Sequence, residues 1–390
     1  MKNHFLLLFV CFSFFNCTKS NSPTTETSSV NSPSSIPTTE DPPVQNTPTP
    51  QPEPQPTVNG MEAVALLKGS VQLIVTPNPN GHTEFLRSIN KTMSGDIIRM
   101  EMFHLTDTDI INALVSAQNR GVTVKVILDG ISLNLPTFDY AFEKLKAAGV
   151  DVRASTSAFT ITHSKAMVIN TSEAFITAIN LTKLTEITRD FGLIVHDTAV
   201  IGEVINVFEQ DWQNASSQQG ITPQVSELHL VLSPVNSLAK LVNLISSAKK
   251  SLSVQVENLG HAQIQSAFIA AAKKGIIVRV LVPMCSKGGS AKLNFPYLKE
   301  LAAGGVQTKV MPTPESIEHP YMHSKMVIAD GVVSYIGSVN FSKNSTTYAR
   351  ELGILFSEIE PIKTMSGIFE KDWASAIAVP AEETVNCSGF

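Results

Sequence analysis

HSKAMVIN, residues 163–170, and HSKMVIAD, residues 323–330, are two copies of one short pattern set 160 residues apart. Each holds a histidine, one residue, a lysine, then an apolar run that ends in a polar side chain, Asn170 or Asp330. Alternation along an extended chain puts His163 and Lys165 on one face, and His323 and Lys325 likewise. The apolar run after each lysine reads as a buried strand, and Asn170-Thr171 and Asp330-Gly331 read as turns into a next strand. Seventeen residues after each histidine stands an asparagine, Asn180 or Asn340. A basic-acidic pair follows in both copies, Arg189-Asp190 and Arg350-Glu351. A lone His-x-Lys means little, but two copies with matched downstream partners imply an internal repeat.

The repeat extends upstream. Residues 96–130 (DIIRMEMFHLTDTDIINALVSAQNRGVTVKVILDG) and 251–283 (SLSVQVENLGHAQIQSAFIAAAKKGIIVRVLVP) follow one plan. Each reads as a strand, a short loop, an amphipathic helix, a basic residue with glycine, then a second strand. Gly121 and Gly275 fall where a left-handed helix C-cap is expected. Val122 to Leu128 and Ile276 to Val282 are rich in β-branched residues, as buried parallel strands are. Farther upstream, Val71 to Pro77 corresponds to His229 to Pro234. Strands alternating with helices imply an α/β fold. The expected architecture is two similar lobes, residues 65–218 and 221–378, related by a pseudo-twofold axis. Each should be a mixed, mostly parallel sheet flanked by helices, with a short link at Ser216 to Gly220.

On these residues the chain resembles the phospholipase D superfamily, whose pattern is His-x-Lys-x4-Asp followed by Gly-Ser-x-Asn. The second copy matches in full: His323, Lys325, Asp330, then Gly337-Ser338-Val339-Asn340. The first departs twice, with Asn170 in place of Asp and Thr177-Ala178-Ile179-Asn180 in place of Gly-Ser-x-Asn. The resemblance covers roughly residues 65–376.

The chemistry suits phosphodiester cleavage without a metal or cofactor. One imidazole attacks phosphorus and forms a phosphohistidine, and the other protonates the departing alkoxide. Lys165 and Lys325 place positive charge on the nonbridging oxygens, where negative charge builds in the transition state. Asn180, Asn340 and the Ser338 hydroxyl are candidate hydrogen-bond donors to the same oxygens; ordinary turn hydrogen bonding is their plainer role. Each imidazole needs an acceptor on its second nitrogen to fix the tautomer. Asp190 and Glu351, 27 and 28 residues after the histidines, are the candidates, and the resemblance implies that they orient them. The plainer reading pairs them with the adjacent Arg189 and Arg350. Asn170 can serve the same turn as Asp330, so it need not destroy activity. Ala178 removes one hydroxyl from the first half-site. Which histidine attacks stays open at this level, with family precedent favouring His163. His82, His104, His261 and His319 have no partner of matching type in the repeat and read as structural or loop histidines. Of these, His319, just before Tyr321-Met322-His323, is the best placed to line a pocket.

The N-terminus has a separate character. Lys2 precedes an apolar run, Phe5 to Phe15, of secretory length but too short to span a bilayer comfortably. Cys17 then reads as a lipidation site at the end of a signal peptide, residues 1–17, although Phe14-Phe15-Asn16 departs from the usual small residues. Residues 18–58 hold 10 Pro and 16 Ser/Thr in 41 positions. That composition cannot bury a core and implies an extended tether. The expected placement is an exported chain, lipid-anchored to a bacterial envelope membrane, with simple secretion as the alternative.

Residues 59–390 carry 27 basic and 30 acidic side chains, a net charge of −3. Nucleic-acid binders usually show a basic excess. That balance and the anchor favour a phospholipid substrate at a membrane surface. The loops before the histidines, Ala154 to Thr162 and Met311 to Met322, point the same way: they hold Phe159, Met311, Tyr321 and Met322, and only Glu315 and Glu318 as charges. A metal-independent endonuclease of the same superfamily is the rival, and a catalytically decayed surface lipoprotein with a binding role is the third reading. Both half-sites lie in one chain, so a monomer suffices. Cys285 and Cys387, too few for a disulfide framework, could form one bond or remain thiols.

Overall fold

A computed structural model of the chain describes residues 71–78, 82–223, 225, 229–287 and 292–387. The signal segment with Cys17, the tether and residues 65–70 lie outside the described residues.

The first lobe runs β1 (Val71–Thr76), α1 (Thr83–Lys91), β2 (Ile97–Met102), α2 (Thr108–Asn119), β3 (Thr123–Leu128), α3 (Pro136–Ala147), β4 (Asp151–Ala154), β5 (Lys165–Ile169), β6 (Glu173–Thr177), β7 (Thr188–Val195) and α4 (Thr198–Ser217). The second repeats that order with β8 (Leu230–Ser233), α5 (Ser237–Ser247), β9 (Ser251–Val256), α6 (Ala262–Lys273), β10 (Ile277–Pro283), α7 (Phe295–Ala303), β11 (Gln307–Met311), β12 (Tyr321–Met322), β13 (Lys325–Ala329), β14 (Val333–Gly337), α8 (Lys343–Thr347), β15 (Glu351–Phe356), α9 (Ile359–Ser375) and β16 (Ile377–Ala378). The helix α4 continues through Ser216 and Ser217, so the link begins only at Gln218, which takes a left-handed conformation at the helix end.

One sheet has the order β1-β7-β6-β5-β2-β3-β4, and the other β16-β11-β10-β9-β13-β14-β15-β8. The expectation of mostly parallel sheets needs correction. The main-order strands are parallel only across β2-β3-β4 and β9-β10-β11. There a helix carries the chain back over the sheet, as a parallel connection requires. Short turns join β5 to β6 and β13 to β14, and these pairs are antiparallel. Gly121 (φ +86°) and Gly275 (φ +84°) end α2 and α6 in the left-handed conformation that glycine adopts without a Cβ penalty.

Strand alternation sorts the core. In β5, Ala166 and Val168 face a central cluster, whereas Met167 and Ile169 face the cluster under α1 and α2. In β13, Met326 and Ile328 join the central cluster, and Val327 and Ala329 the cluster under α5 and α6. The central cluster draws on both sheets together with α4 and α9, so the two lobes share one core. β12, although it belongs to the second half of the sequence, adds to the first sheet by pairing with Thr188 and Arg189.

The turns end the strands as expected. Asn170 (φ +53°) and Asp330 (φ +55°) both take the left-handed conformation. Asn170 Oδ1 accepts from Ile97 N–H (2.8 Å) and its amide donates to Asp96 (2.9 Å). Asp330 accepts from the N–H groups of Lys249, Lys250 and Ser251. Both side chains therefore anchor the start of the neighbouring strand, and asparagine serves that role as well as aspartate.

Two buried arginines brace the lobes reciprocally. Arg350 donates from Nε to Asp211 of α4 (3.0 Å) and from Nη1 to the Ser233 carbonyl (3.1 Å). Arg189 grips Asp372 of α9 through two nitrogens (2.7 and 3.0 Å) and donates to the Thr76 carbonyl. Thus α4 of the first lobe holds an arginine of the second, and α9 of the second holds one of the first. The third member of each brace differs. Gln255 donates to Asp372 (2.9 Å), but its repeat counterpart is Glu101, buried beside Asp211. Glu101 Oε1 and Asp211 Oδ2 both have no donor among the described residues. Burial, and then the Asp211 charge, hold the Glu101 carboxyl well above its ordinary value. A raised folded-state value means stability that is full below the ordinary glutamate range and is lost as pH rises toward the folded value. Glu101→Gln supplies the missing donor at every pH. Its thermal stability relative to wild type should rise between pH 5 and pH 9, by roughly 1–3 kcal/mol, the scale for an unsatisfied buried group. Parallel denaturation curves across that range would contradict this.

Candidate active site

The site lies where β2 and β9 end and β5 and β13 begin. Lys165 and Lys325 are the first residues of β5 and β13, paired with Met102 and Val256 at the ends of β2 and β9. Each histidine sits two residues before its lysine. Ligands of α/β sheets gather at such carboxyl ends of parallel strands.

Each histidine is held by the other lobe. His163 N–H donates to the Arg350 carbonyl (2.8 Å), and its Nδ1 lies 2.8 Å from Glu351 Oε2. His323 N–H donates to the Arg189 carbonyl (3.3 Å), and its Nδ1 lies 2.9 and 3.0 Å from the two oxygens of Asp190. One arginine-acid pair therefore fixes both the backbone and the ring of the opposite histidine. Arg189 and Arg350 spend their guanidinium groups on Asp372 and Asp211, which leaves Asp190 and Glu351 to the histidines. Asp211 and Asp372 did not figure among the expected residues, yet a signal existed: Asp211-Trp212 recurs as Asp372-Trp373.

Both lysines are buried, and both Nζ atoms donate to the carbonyl of the histidine two residues back (2.5 Å each). Burial, and then the Lys325 charge, bring Lys165 down to about 7. Burial followed by the charges of Lys165 and Lys325 hold the His163 imidazole well below its usual value, hence neutral at pH 7. Burial pushes the Glu351 carboxyl up to about 7, against the pull of Lys165.

The two half-sites differ in one residue that sequence reasoning missed. Glu257 follows β9 directly and accepts from Tyr321 Oη (2.8 Å) and Lys325 Nζ (3.0 Å), and one of its oxygens lies 3.5 Å from His323 Nε2. Burial disfavours its charge, but Lys325 and His323 more than offset this and hold the carboxyl well below its ordinary value. In the repeat its counterpart is Phe103, whose ring stands edge-on to His163 at 4.7 Å and under Lys165 Nζ at 4.9 Å. The available signal was a charge closing an apolar strand where the first copy has phenylalanine.

Asn340 Oδ1 accepts from Asn258 N–H (3.1 Å), whereas the buried Asn180 Oδ1 has no partner among the described residues. Ser338 has partners of its own in the second lobe. Its hydroxyl donates to the Leu352 carbonyl (3.2 Å) and accepts from Leu352 N–H (3.1 Å), and the same side chain lies against the Glu351 carboxylate, whose charged form it favours. Ala178 removes from the first lobe the hydroxyl that in the second lobe bonds Leu352. Thr177 at the Gly337 position is also compensated. Its hydroxyl accepts from Ile179 N–H (3.2 Å), the task that Tyr335 Oη performs for Val339 N–H (3.1 Å) in the second lobe. Gly337 leaves no room for a Cβ, which would lie 2.3 Å from Gly353 Cα.

His104 lies in the field of the site: burial, then the charges of Lys165, His163 and His323, hold it well below its usual value. It stacks between Phe103 and Phe138 (3.8 and 3.9 Å). The reading of His104 as a plain loop histidine is thereby revised. The apolar side chains expected to meet substrate from the preceding loops are core residues instead. Phe159, Met311, Tyr321 and Met322 are all buried, Phe159 beneath the Arg350 guanidinium (4.5 Å). The same loops leave Ile317 exposed. Cys285 and Cys387 are joined by a disulfide, with Cα atoms 5.7 Å apart. Among the described residues no His, Cys, Asp and Glu cluster could hold a metal ion, and no helix is long and apolar enough to cross a membrane.

A family model described as "Cardiolipin synthase, PLD-like domain" matches residues 85–212 and 241–373, one segment in each lobe, and the chain belongs to the phospholipase D superfamily. A probable cardiolipin synthase of Bacillus subtilis is 26% identical over 299 residues, 67% of this chain and 57% of that protein. Phospholipase D Z of Dictyostelium discoideum is 23% identical over 326 residues, 70% of this chain and 76% of that protein. Among solved structures, polyphosphate kinase from Porphyromonas gingivalis aligns with a TM-score of 0.60 at 15% identity, covering 86% of this chain and 54% of the kinase. Phosphatidylserine synthase of Haemophilus influenzae aligns with a TM-score of 0.57 at 12% identity, covering 82% and 90%. These structural likenesses show the two-lobed fold. The chain spans little more than half the length of the Bacillus relative.

Proposed function

We propose that this chain is a phospholipase D-type phosphodiesterase that releases phospholipid headgroups through a phosphohistidine on His163. The observation that carries the reading is the pair of histidines with unequal Nε2 surroundings. Both have Nδ1 held by a carboxylate, which leaves Nε2 as the reactive atom. His163 is neutral at pH 7, and its Nε2 has no partner among the described residues. His323 Nε2 faces Glu257, so an N–H at that atom has an acceptor.

The steps follow. His163 Nε2 attacks phosphorus, the P–N bond forms, and the bond from phosphorus to the headgroup oxygen breaks. His323 gives its Nε2 proton to that oxygen, and the headgroup alcohol leaves. Water then gives a proton to His323 Nε2 as its oxygen attacks phosphorus. The P–N bond breaks, and phosphatidic acid is released. Lys165 and Lys325 stabilise the charge on the nonbridging oxygens, with Asn180 and Asn340 as hydrogen-bond donors beside them.

A lipid substrate is supported by the similarity to a probable cardiolipin synthase and to a phospholipase D and by the −3 balance of residues 59–390. It also agrees with anchoring through an acyl-modified Cys17 and the Pro/Ser/Thr tether. The Cys285–Cys387 bond suits an oxidising compartment outside the cytoplasm. The test offers the full chain phosphatidylcholine and a primary alcohol in the presence of EDTA. The expected products are a phosphatidyl-alcohol beside phosphatidic acid, because the alcohol competes with water for the same intermediate. Cleavage of DNA or RNA with phospholipid untouched would assign the site to an endonuclease. Absence of turnover on any diester would leave a binding lipoprotein.

A further inference from the structure

Glu257 makes and breaks no bond in the steps above beyond accepting the His323 Nε2–H, yet it stands where the leaving alcohol must pass. In an in-line displacement the nucleophile and the leaving oxygen lie on opposite sides of phosphorus. With His163 attacking, the leaving alcohol emerges beside His323. The group nearest that side is therefore Glu257, whereas the repeat counterpart beside His163 is the apolar ring of Phe103.

Without substrate the Glu257 carboxylate is balanced. Lys325 Nζ lies 3.0 Å from it, and Tyr321 Oη donates from 2.8 Å. Tyr321 Oη in turn accepts from Lys287 N–H (2.8 Å), so the ring is fixed behind the carboxylate. A bound phosphodiester draws the Lys325 charge onto its nonbridging oxygens. Glu257 then keeps only the His323 ring as an undivided positive neighbour, and that ring gives its Nε2 proton to the leaving oxygen, so the buried carboxylate is left short of positive charge unless another cation arrives. A headgroup that carries its own ammonium two carbons from the leaving oxygen supplies that group. A neutral polyol offers only hydroxyl donors, and charge-assisted bonds are roughly twice as strong.

We propose that Glu257, positioned by Tyr321, is the specificity-determining residue for the leaving alcohol and selects ammonium-bearing headgroups over neutral polyol ones. This rests on the phospholipase reading of the same site. The test compares phosphatidylethanolamine with phosphatidylglycerol of identical acyl chains in mixed micelles, using the full chain and its Glu257→Gln variant. Wild type should prefer phosphatidylethanolamine in kcat/KM. Glu257→Gln should lower the ethanolamine-to-glycerol ratio by about tenfold, the loss of one charge-assisted contact. Glu257→Asp should retain most of the preference. The ratio is taken within one preparation, so partial misfolding does not move it. An unchanged ratio in Glu257→Gln, with wild type active on lipid, overturns the role of Glu257 alone. A wild type that releases neither headgroup overturns the phospholipase reading, and this inference with it.

Discussion

His163→Ala is expected to lower kcat by at least roughly 10²–10⁴-fold on every phosphodiester tried, the scale for a positioned catalytic group. No choice of leaving group should restore it, because the atom that attacks phosphorus is gone. His323→Ala should be equally damaging on phospholipid, whose headgroup alkoxide needs a proton. On a soluble diester with a p-nitrophenol leaving group, much of that loss should return in the first step, since a stable phenolate departs unprotonated. A steady-state assay would hide this if water attack became limiting, so the burst of p-nitrophenolate is the quantity to measure. The asymmetry follows from the surroundings of the two rings: His163 is held neutral by burial and by two lysines, and His323 Nε2 faces a carboxylate. Equal rescue of both variants by p-nitrophenol would show that the two roles are not divided in this way.

The second large effect concerns the crossed acids. Glu351→Gln acts on His163 across the lobe boundary, and Asp190→Asn acts on His323. Either change turns an acceptor into a group that can present N–H to Nδ1. The ring is then free to choose the wrong tautomer, and losses of about 10²–10⁴-fold are expected. The sensitivity to leaving group should follow the crossing. Asp190→Asn should be rescued by p-nitrophenol as His323→Ala is, and Glu351→Gln should not. If each acid instead shared the rescue pattern of the histidine in its own lobe, the crossed pairing would be wrong. The pH profile adds a check. Glu351, near 7, must be ionised to hold His163, and Lys165, also about 7, must stay charged to meet the phosphate. The profile of kcat/KM for wild type should therefore be a narrow bell centred near neutrality, falling on the acid side with Glu351 and on the alkaline side with Lys165.

Much of the fold was legible because its signals are short in range. Strand alternation in HSKAMVIN and HSKMVIAD, glycine at the ends of α2 and α6, and the turns at Asn170 and Asp330 each depend on a few neighbouring residues. The strand order of the antiparallel half was less visible. A β-branched run such as Val122 to Leu128 reads as a buried strand whichever way its neighbour runs, and only the short turns after β5 and β13 decide the direction. The crossing of the acids was not legible. Asp190 lies 27 residues from His163 and 133 from His323, and spacing alone favours the nearer partner, yet the shared core brings the distant one to it. The same holds for Asp211 and Asp372, whose partners lie 139 and 183 residues away. The motif also did not announce that the Ser338 hydroxyl bonds Leu352, a neighbour on the next strand 14 residues away. Glu257 stands outside every repeated motif, since its counterpart is Phe103, and a repeat draws the eye to what matches.

The central claim is that His163 becomes the covalent phosphohistidine while His323 handles the proton. The direct measurement is rapid quenching of the full chain in alkali during turnover of a ³²P-labelled p-nitrophenyl diester, whose leaving group needs no proton, followed by mapping of the labelled peptide. Alkali preserves phosphohistidine, and His323→Ala should accumulate it by slowing the attack of water. Label on the peptide that contains His163, lost in His163→Ala, is the predicted result. Label on the peptide that contains His323, with none on His163, would contradict the account.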